Sequence, residues 1–466
     1  MSTELSPPDS PGSSLPIDEG IAPPFQSNGL YLELAPFELE KIYDYETGGH
    51  HPVHLGDLLG SHGQYRVIHK LGHGGFANVW LCRDTNAEET VYLALKILMA
   101  EVSTDDCPEL RISNELKNSR SAGQDDDNGA NYICLAQDQF KIHGPNGDHL
   151  CFVYPVLGPS VSLGLFRDSQ DPDKVLRSIC FKTVKAIEFL HSHGICHGDI
   201  TPSNILHRIS GLDGLAEEEV LRILGNPVQN PVQRQSGENH DDPGAPQYLV
   251  YPVEWQDVDS RYIREQPCLI DFGESFLITE PPEDLGIPGP YRSPELILDK
   301  VAGIGSDIWA LGCLLFEIRT GRKLFNPFDD EDSDYLDAMV QLLGKLPEPW
   351  WSTTWEERSR LYEDETDEHG LAVDAMKPET VTNGSGEDRG HPASIAHPSV
   401  VQGARSLREI IAPGLWYLAN NRAGHHRDIS GREKDVFADL LGRLLQYEPK
   451  DRISAKTALD HEWFKL

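Results

Sequence analysis

The stretch HGDITPSNIL, residues 197–206, constrains this chain more than any other. It sets a carboxylate, Asp199, and an amide, Asn204, five positions apart behind His197. The preceding segment, VLRSICFKTVKAIEFLHSHG (175–194), has apolar residues at helical spacing and closes on Gly194, a helix-ending residue. Further on, PCLIDFGESF (267–276) delivers a second carboxylate, Asp271, at the end of an apolar run. A His-x-Asp pattern followed by Asn suits phosphoryl transfer. Asp199 is the candidate base for a substrate hydroxyl, and Asn204 and Asp271 are candidate ligands for a hard divalent cation. Taken alone, IDFGE also reads as a turn after a buried strand.

The N-terminal half supplies what such a loop needs. YRVIHKL (65–71) and NVWLCRD (78–84) flank a glycine turn, and VYLALKIL (91–98) follows, which predicts three strands of an antiparallel sheet. In LGHGGFANVW (71–80), Gly72 and Gly74 let a hairpin backbone come close to phosphates, although Ala77 occupies the third glycine position. Lys96 lies on the third strand between apolar Leu95 and Ile97, placed to reach the α- and β-phosphates. Glu109, in the short helix pattern CPELRISNELK (107–117), is its candidate partner, with Glu115 as the alternative. LCFVYPVL (150–157) reads as another strand. DIWALGCLLFEIRTG (307–321) is apolar nearly all round and reads as a buried helix. Two or three helices close the chain. The architecture expected is α+β and bilobal: a small antiparallel β-sheet lobe over about 65–157, then a larger helical lobe over about 158–466.

Residues 1–45 are rich in Pro, Ser and acids and read as disordered, with no signal peptide. Two polar insertions are expected, at about 207–266, a loose surface segment carrying one short helix, and at 352–405. The formal net charge of −35 repels nucleic acid and anionic membranes and attracts basic partners, though solvated acidic loops give the same total. Eight scattered cysteines with no CxxC pair argue for reduced thiols. No run of apolar residues is long enough to span a membrane.

The ordered set Gly72, Gly74, Lys96, Glu109, Asp199, Asn204 and Asp271 resembles the eukaryotic protein kinase family over 65–466. YRSPEL (291–296) resembles the segment that ends a protein-kinase activation loop. Asp307 matches the residue that buttresses the catalytic loop, and Arg452 in EPKDRISA matches the usual partner of Glu295. Small-molecule kinases sharing the His-x-Asp loop generally lack that trio. A narrower resemblance, to the SR-protein kinase family, rests on HHPVHLGDLLGSHGQYRVIHKLGHGGFANVWL (50–81), FVYPVLG (152–158), the long spacer before Asp271, and DYLDAMVQLLGKLP (334–347). It implies ATP and Mg2+ as cofactors, and an ATP site of Leu71, Gly72, Gly74, Val79, Ala94, Lys96, Tyr154 and Leu157, with Tyr154 as gatekeeper. It further implies basic, Arg/Ser-rich protein substrates, no direct nucleic acid or membrane partner, a monomer, and a cytoplasmic and nuclear location.

The sequence also departs from the family pattern. Gly198 stands where a protein kinase carries Arg, so it cannot grip a phosphorylated activation loop. Thr201 stands where the family has a Lys that neutralises the transferring phosphoryl group, which implies slower turnover. Gln341 replaces an acid of the family's docking groove, while Asp334 retains another within the acidic run DDEDSDYLD. An active serine/threonine kinase and a nucleotide-binding pseudokinase scaffold are both compatible with these residues.

Overall fold

The computed structural model describes residues 29–32, 38–119, 129–162, 169–234, 236–366, 372–374, 406–411, 415–417 and 425–466. Its strands in chain order are β1 (Leu30–Leu32), β2 (Leu58–Leu59), β3 (Tyr65–His73), β4 (Ala77–Asp84), β5 (Tyr92–Leu98), β6 (Asp138–Gly144) and β7 (Gly147–Pro155). The helix α1 (Pro108–Ser119) lies between β5 and β6. Strands β2-β3-β4-β5-β7-β6 form one antiparallel six-stranded sheet. Its register places Val79 opposite Lys96, Lys96 opposite Phe152, and Ala94 opposite Tyr154. Because side chains alternate along a strand, Lys96 shares a face with these residues, while Leu95 and Ile97 enter the apolar layer behind.

The second lobe is built on helices. It begins with β8 (Leu157–Ser160) and α2 (Pro172–Ser192), followed by β9 (Ile195–Cys196) and β10 (Ile205–Ile209). After an inserted segment come β13 (Ile263–Leu269) and β14 (Phe276–Leu277), then α4 (Pro294–Leu298), α5 (Ile304–Thr320) and α6 (Asp332–Leu343). Helix α5 is buried on every side, as its apolar sequence demands, and packs with α2 and the helix Gly431–Leu444 in the main core. The α+β bilobal architecture expected from the sequence is therefore the one found.

Three expectations need correction. The segment 207–266 is not loose. It contains α3 (Glu217–Leu224), β11 (Gln229–Arg234) and β12 (Tyr248–Val250), and it packs on both faces of the six-stranded sheet, α3 on the face that carries Ala94 and Lys96 and β12 on the face of Leu93 and Leu95. Val220 and Leu224 of α3 are buried with Ile68, Leu81 and Tyr92, and Asp213 accepts a 3.0 Å bond from Tyr92 N–H. Val220, Leu221, Ile223 and Leu224 drive this docking; the polar, Pro- and Gly-rich residues that follow them disguised the segment as a surface loop. Parts of the N-terminal stretch are also ordered. Strand β1 pairs with β11, and Leu30, Leu32, Leu39, Ile42 and Tyr45 share a core with Val232 and Leu249. Glu40 forms a buried ion pair with Lys70. Residues 1–28 and 33–37, for which disorder is expected, lie outside the described residues. In the 352–405 segment, Trp355 and Tyr362 are buried in the main core, so the stretch up to 362 belongs to the body of the protein. Most of the remainder lies outside the described residues.

Candidate functional site

The pairing of four short strands assembles the site. β10 pairs with β13, Ile205 opposite Leu269, and β9 pairs with β14, Cys196 opposite Phe276. The loop from β9 to β10 carries Asp199 and Asn204, and the turn from β13 to β14 carries Asp271. Paired strands at both ends force these two loops side by side. Hydrogen bonds tie them: Ile270 N–H donates to Asn204 O (3.0 Å), His197 Nε2 donates to Ile270 O (3.0 Å), and Ser275 Oγ donates to His197 O (2.7 Å).

Asp307, at the start of α5, holds the first loop from below. Its carboxylate accepts from His197 N–H (2.8 Å), Gly198 N–H (3.0 Å) and His191 Nε2 (2.9 Å). Burial alone would raise its pKa, but these donors, led by His191, lower it below the ordinary carboxylate range. Gly198 has φ +82°, and a Cβ there would stand 2.2 Å from Glu274 O. Any side chain at this position needs a strained backbone and a displaced neighbour.

Asn204 Nδ2 donates twice, to Asp199 O (2.9 Å) and to Asp199 Oδ2 (2.7 Å). Both amide hydrogens are thereby used, which leaves the Asn204 oxygen for a cation. Asp199 Oδ1 is buried with no hydrogen-bond partner among the described residues. Burial raises the Asp199 pKa above its usual value; His197 and Asn204 pull it back, while Asp271 and Glu274 add to the rise. An orphaned carboxylate oxygen in that environment suits acceptance of a substrate proton.

Lys96 crosses from the upper lobe. Its Nζ lies 2.7 Å from Glu109 Oε2 and 2.9 Å from Asp271 Oδ1. Burial opposes its charge, but the two carboxylates prevail and raise its pKa. Lys96 in turn lowers the Asp271 carboxyl against the effect of burial. Asp271 sits at φ +65°, uncommon for a residue with a side chain. Among the described residues no three His, Cys, Asp or Glu cluster in a way that could hold a metal unaided. Asn204 and Asp271 fit a Mg2+ ion, which takes one or two protein oxygens and completes its shell with phosphates and water.

Glu109, not Glu115, is the residue on Lys96; Glu115 is exposed. The other Glu109 oxygen accepts from Tyr154 Oη at 2.5 Å. That bond has no signal in the sequence, because strand β7 and helix α1 meet only in the folded sheet. Gly72 and Gly74 lie at the β3–β4 turn with open space beside them, and Gly74 N–H donates to Ala77 O (2.8 Å). Leu157 packs with Leu206 and Ile270 below the hinge between lobes, while Ala94 is buried in the sheet and Leu71 and Val79 are half-buried on its strands. Phe272 is buried in the main core, 5.3 Å from the His197 ring. Arg452 holds both oxygens of Glu295 at 2.6 and 2.7 Å. Thr201, where a family Lys is expected, is buried with its hydroxyl 2.8 Å from Ser203 Oγ.

Residues 65–216 and 262–464 match the family model described as "Protein kinase domain", and the gap between them falls within the segment that caps the sheet. The chain is 26% identical to Serine/threonine-protein kinase SRPK of Physarum polycephalum, over 92% of each chain. It is 26% identical to Serine/threonine-protein kinase AFC3 of Arabidopsis thaliana, over 91% of this chain and 87% of that one. It is 25% identical to Dual specificity protein kinase CLK2 of Mus musculus, over 91% of this chain and 68% of that one. The resemblance to SR-protein kinases read from the motifs is thus matched across nearly the whole length.

Proposed function

We propose that this chain, which belongs to the protein kinase family, transfers the γ-phosphoryl group of ATP to serine in basic, Arg/Ser-rich proteins. The observation that carries the proposal is Lys96 bound at once to Glu109 and Asp271, above an Asp199 whose free oxygen is buried beside Asn204. In this reading Lys96 orients the α- and β-phosphates, Glu109 positions Lys96, and Asp199 Oδ1 accepts the serine hydroxyl proton as its oxygen attacks. Asn204 and Asp271 would hold Mg2+, which when bound neutralises charge on the phosphates. Leu71, Val79, Ala94 and Leu157 would enclose the adenine, and the open backbone around Gly72 and Gly74 would cover the phosphates.

Preference for basic substrates rests on charge. The net charge is −35, and in DDEDSDYLD the acids are not all occupied. Arg292 and Lys300 take Asp332, Tyr335 takes Asp330, and Gln341 and Tyr362 take Asp337. Asp329, Glu331 and Asp334 carry no ion pair among the described residues and can receive arginines. Two of the six acids, Asp332 and Asp334, lie in the first turn of α6, where they also favour the helix dipole.

Gly198 cannot contribute an arginine to a phosphorylated loop, yet the Lys96–Glu109 pair is formed and Phe272 is packed inside. Activity therefore requires no activation-segment phosphorylation. All eight cysteines are free thiols, in keeping with a cytoplasmic and nuclear location. The second reading, a nucleotide-binding scaffold, is favoured by Thr201, which brings no charge to the phosphoryl group. Full-length protein made in bacteria and verified to be unphosphorylated should label an Arg-Ser repeat peptide from radiolabelled ATP. Asp199→Asn should abolish that labelling, and a Glu-Ser repeat should be a far poorer substrate. Nucleotide binding without any labelling would select the scaffold.

A further inference from the structure

Beside the Lys96–Glu109 pair lies the Tyr154 hydroxyl, and we propose that Tyr154 is a positioning residue: by holding Glu109 Oε1 it keeps Glu109 Oε2 on Lys96. This rests on the role given to that pair above.

The two ends of the bond are anchored very differently. Glu109 is the second residue of α1, and the first i→i−4 bond there runs from Arg111 N–H to Cys107 O (3.0 Å). First-turn residues are where a helix frays. The later turns of α1 are pinned by Ile112 and Leu116 in the main core, and Cys107 and Leu110 on either side of Glu109 pack beneath the sheet, but none of these contacts holds the Glu109 carboxylate. Tyr154 instead belongs to the interior strand β7, opposite Ala94, and packs with Leu150 and Phe152 on one side and Cys134 and Leu157 on the other. Burial, reinforced by the Glu109 carboxylate, holds its phenol well above the ordinary value, so it stays a proton donor at any working pH. A rigid strand thus fixes a carboxylate in the first turn of the helix.

The charge balance makes the bond necessary. The Glu109 side chain is only 2% exposed, and among the described residues its two oxygens have one donor each, Lys96 and Tyr154. Lys96 is already shared with Asp271. Phenylalanine at 154 would fill the same space but leave Oε1 buried and unpaired. The carboxylate would then gain by turning toward water, loosening the first turn of the helix and leaving Lys96 to Asp271 alone.

The test uses the full chain with Tyr154→Phe. Hydrogen–deuterium exchange of the segment 107–117 should quicken about tenfold, the effect of one lost hydrogen bond to a charged group, while α2 stays unchanged. With a peptide substrate, kcat should fall about tenfold while the KM for ATP moves less. In a Glu109→Gln background, Tyr154→Phe should add no further loss, because the two act as one unit. Unchanged exchange in 107–117, or an equal loss of kcat in both backgrounds, overturns the proposal. If the wild-type chain transfers no phosphate, the proposed kinase activity fails, and the exchange measurement alone decides the role of Tyr154.

Discussion

Replacing Asp307 with Asn should cost about 3 kcal/mol of stability at pH 7, and the figure follows from the bonds it makes. Oδ2 accepts from His197 N–H and His191, and Oδ1 accepts from Gly198 N–H. Asparagine keeps one acceptor. Set in the Oδ2 position it serves His197 and His191, and its NH2 group then faces the Gly198 N–H, donor against donor. One buried N–H left unpaired costs about 1–3 kcal/mol, and the retained bonds lose roughly half their strength with the charge. The change should appear in urea unfolding as a lower midpoint with an unchanged slope. Its pH dependence has a defined sign. The Asp307 pKa is lowered in the fold, so its stabilisation is complete above the ordinary carboxylate value and fades only as pH falls through the lower folded value. The gap between wild type and variant should be flat from about pH 8 to 5 and narrow below about pH 4. Activity should fall as well, since Gly198 joins His197 to Asp199. A loss below about 1 kcal/mol at pH 7, or a gap that widens towards acid, refutes this reasoning.

Gly198→Ala should destabilise by about 1–2 kcal/mol or more and reduce kcat, because its Cβ meets Glu274 O at a left-handed backbone position; wild-type melting and turnover would contradict the geometry. Leu224→Ala in α3 should cost about 2–5 kcal/mol in denaturant unfolding if the inserted segment is part of the core, whereas a loose surface loop would give almost none. Thr201→Lys should raise kcat about tenfold in the peptide assay by supplying the missing charge, and an unchanged or lower kcat would mean that the loop around Thr201 and Ser203 cannot direct a lysine to the phosphoryl group. Arg452→Met should lower the melting temperature by several degrees, since it strands the buried Glu295 and three backbone carbonyls, those of Gly305, Gln446 and Tyr447.

The meeting of the candidate site residues was legible because each is bound to a local pattern. Lys96 is fixed by alternation within one strand, Asp199 and Asn204 by spacing within one loop, and Asp307 by its place at the head of an all-apolar helix. The sequence favoured Glu109 over Glu115 but did not fix it. Both lie on α1, and only the approach of that helix to the sheet puts one on Lys96 and the other on the exposed side. The inserted segment was misjudged for a related reason. Its apolar residues find partners on a sheet far away in the chain, and no local periodicity records that.

By itself the sequence determined which groups are present, which strand, loop or helix each occupies, and hence the two-lobed architecture and the class of reaction. Tertiary structure alone decided the double use of Lys96, the Tyr154 bond to Glu109, the cap over the sheet and the forced glycine at 198. Each of these joins residues from separate elements. Periodicity and spacing report on one element at a time, whereas hydrogen bonds and close packing depend on where two elements meet.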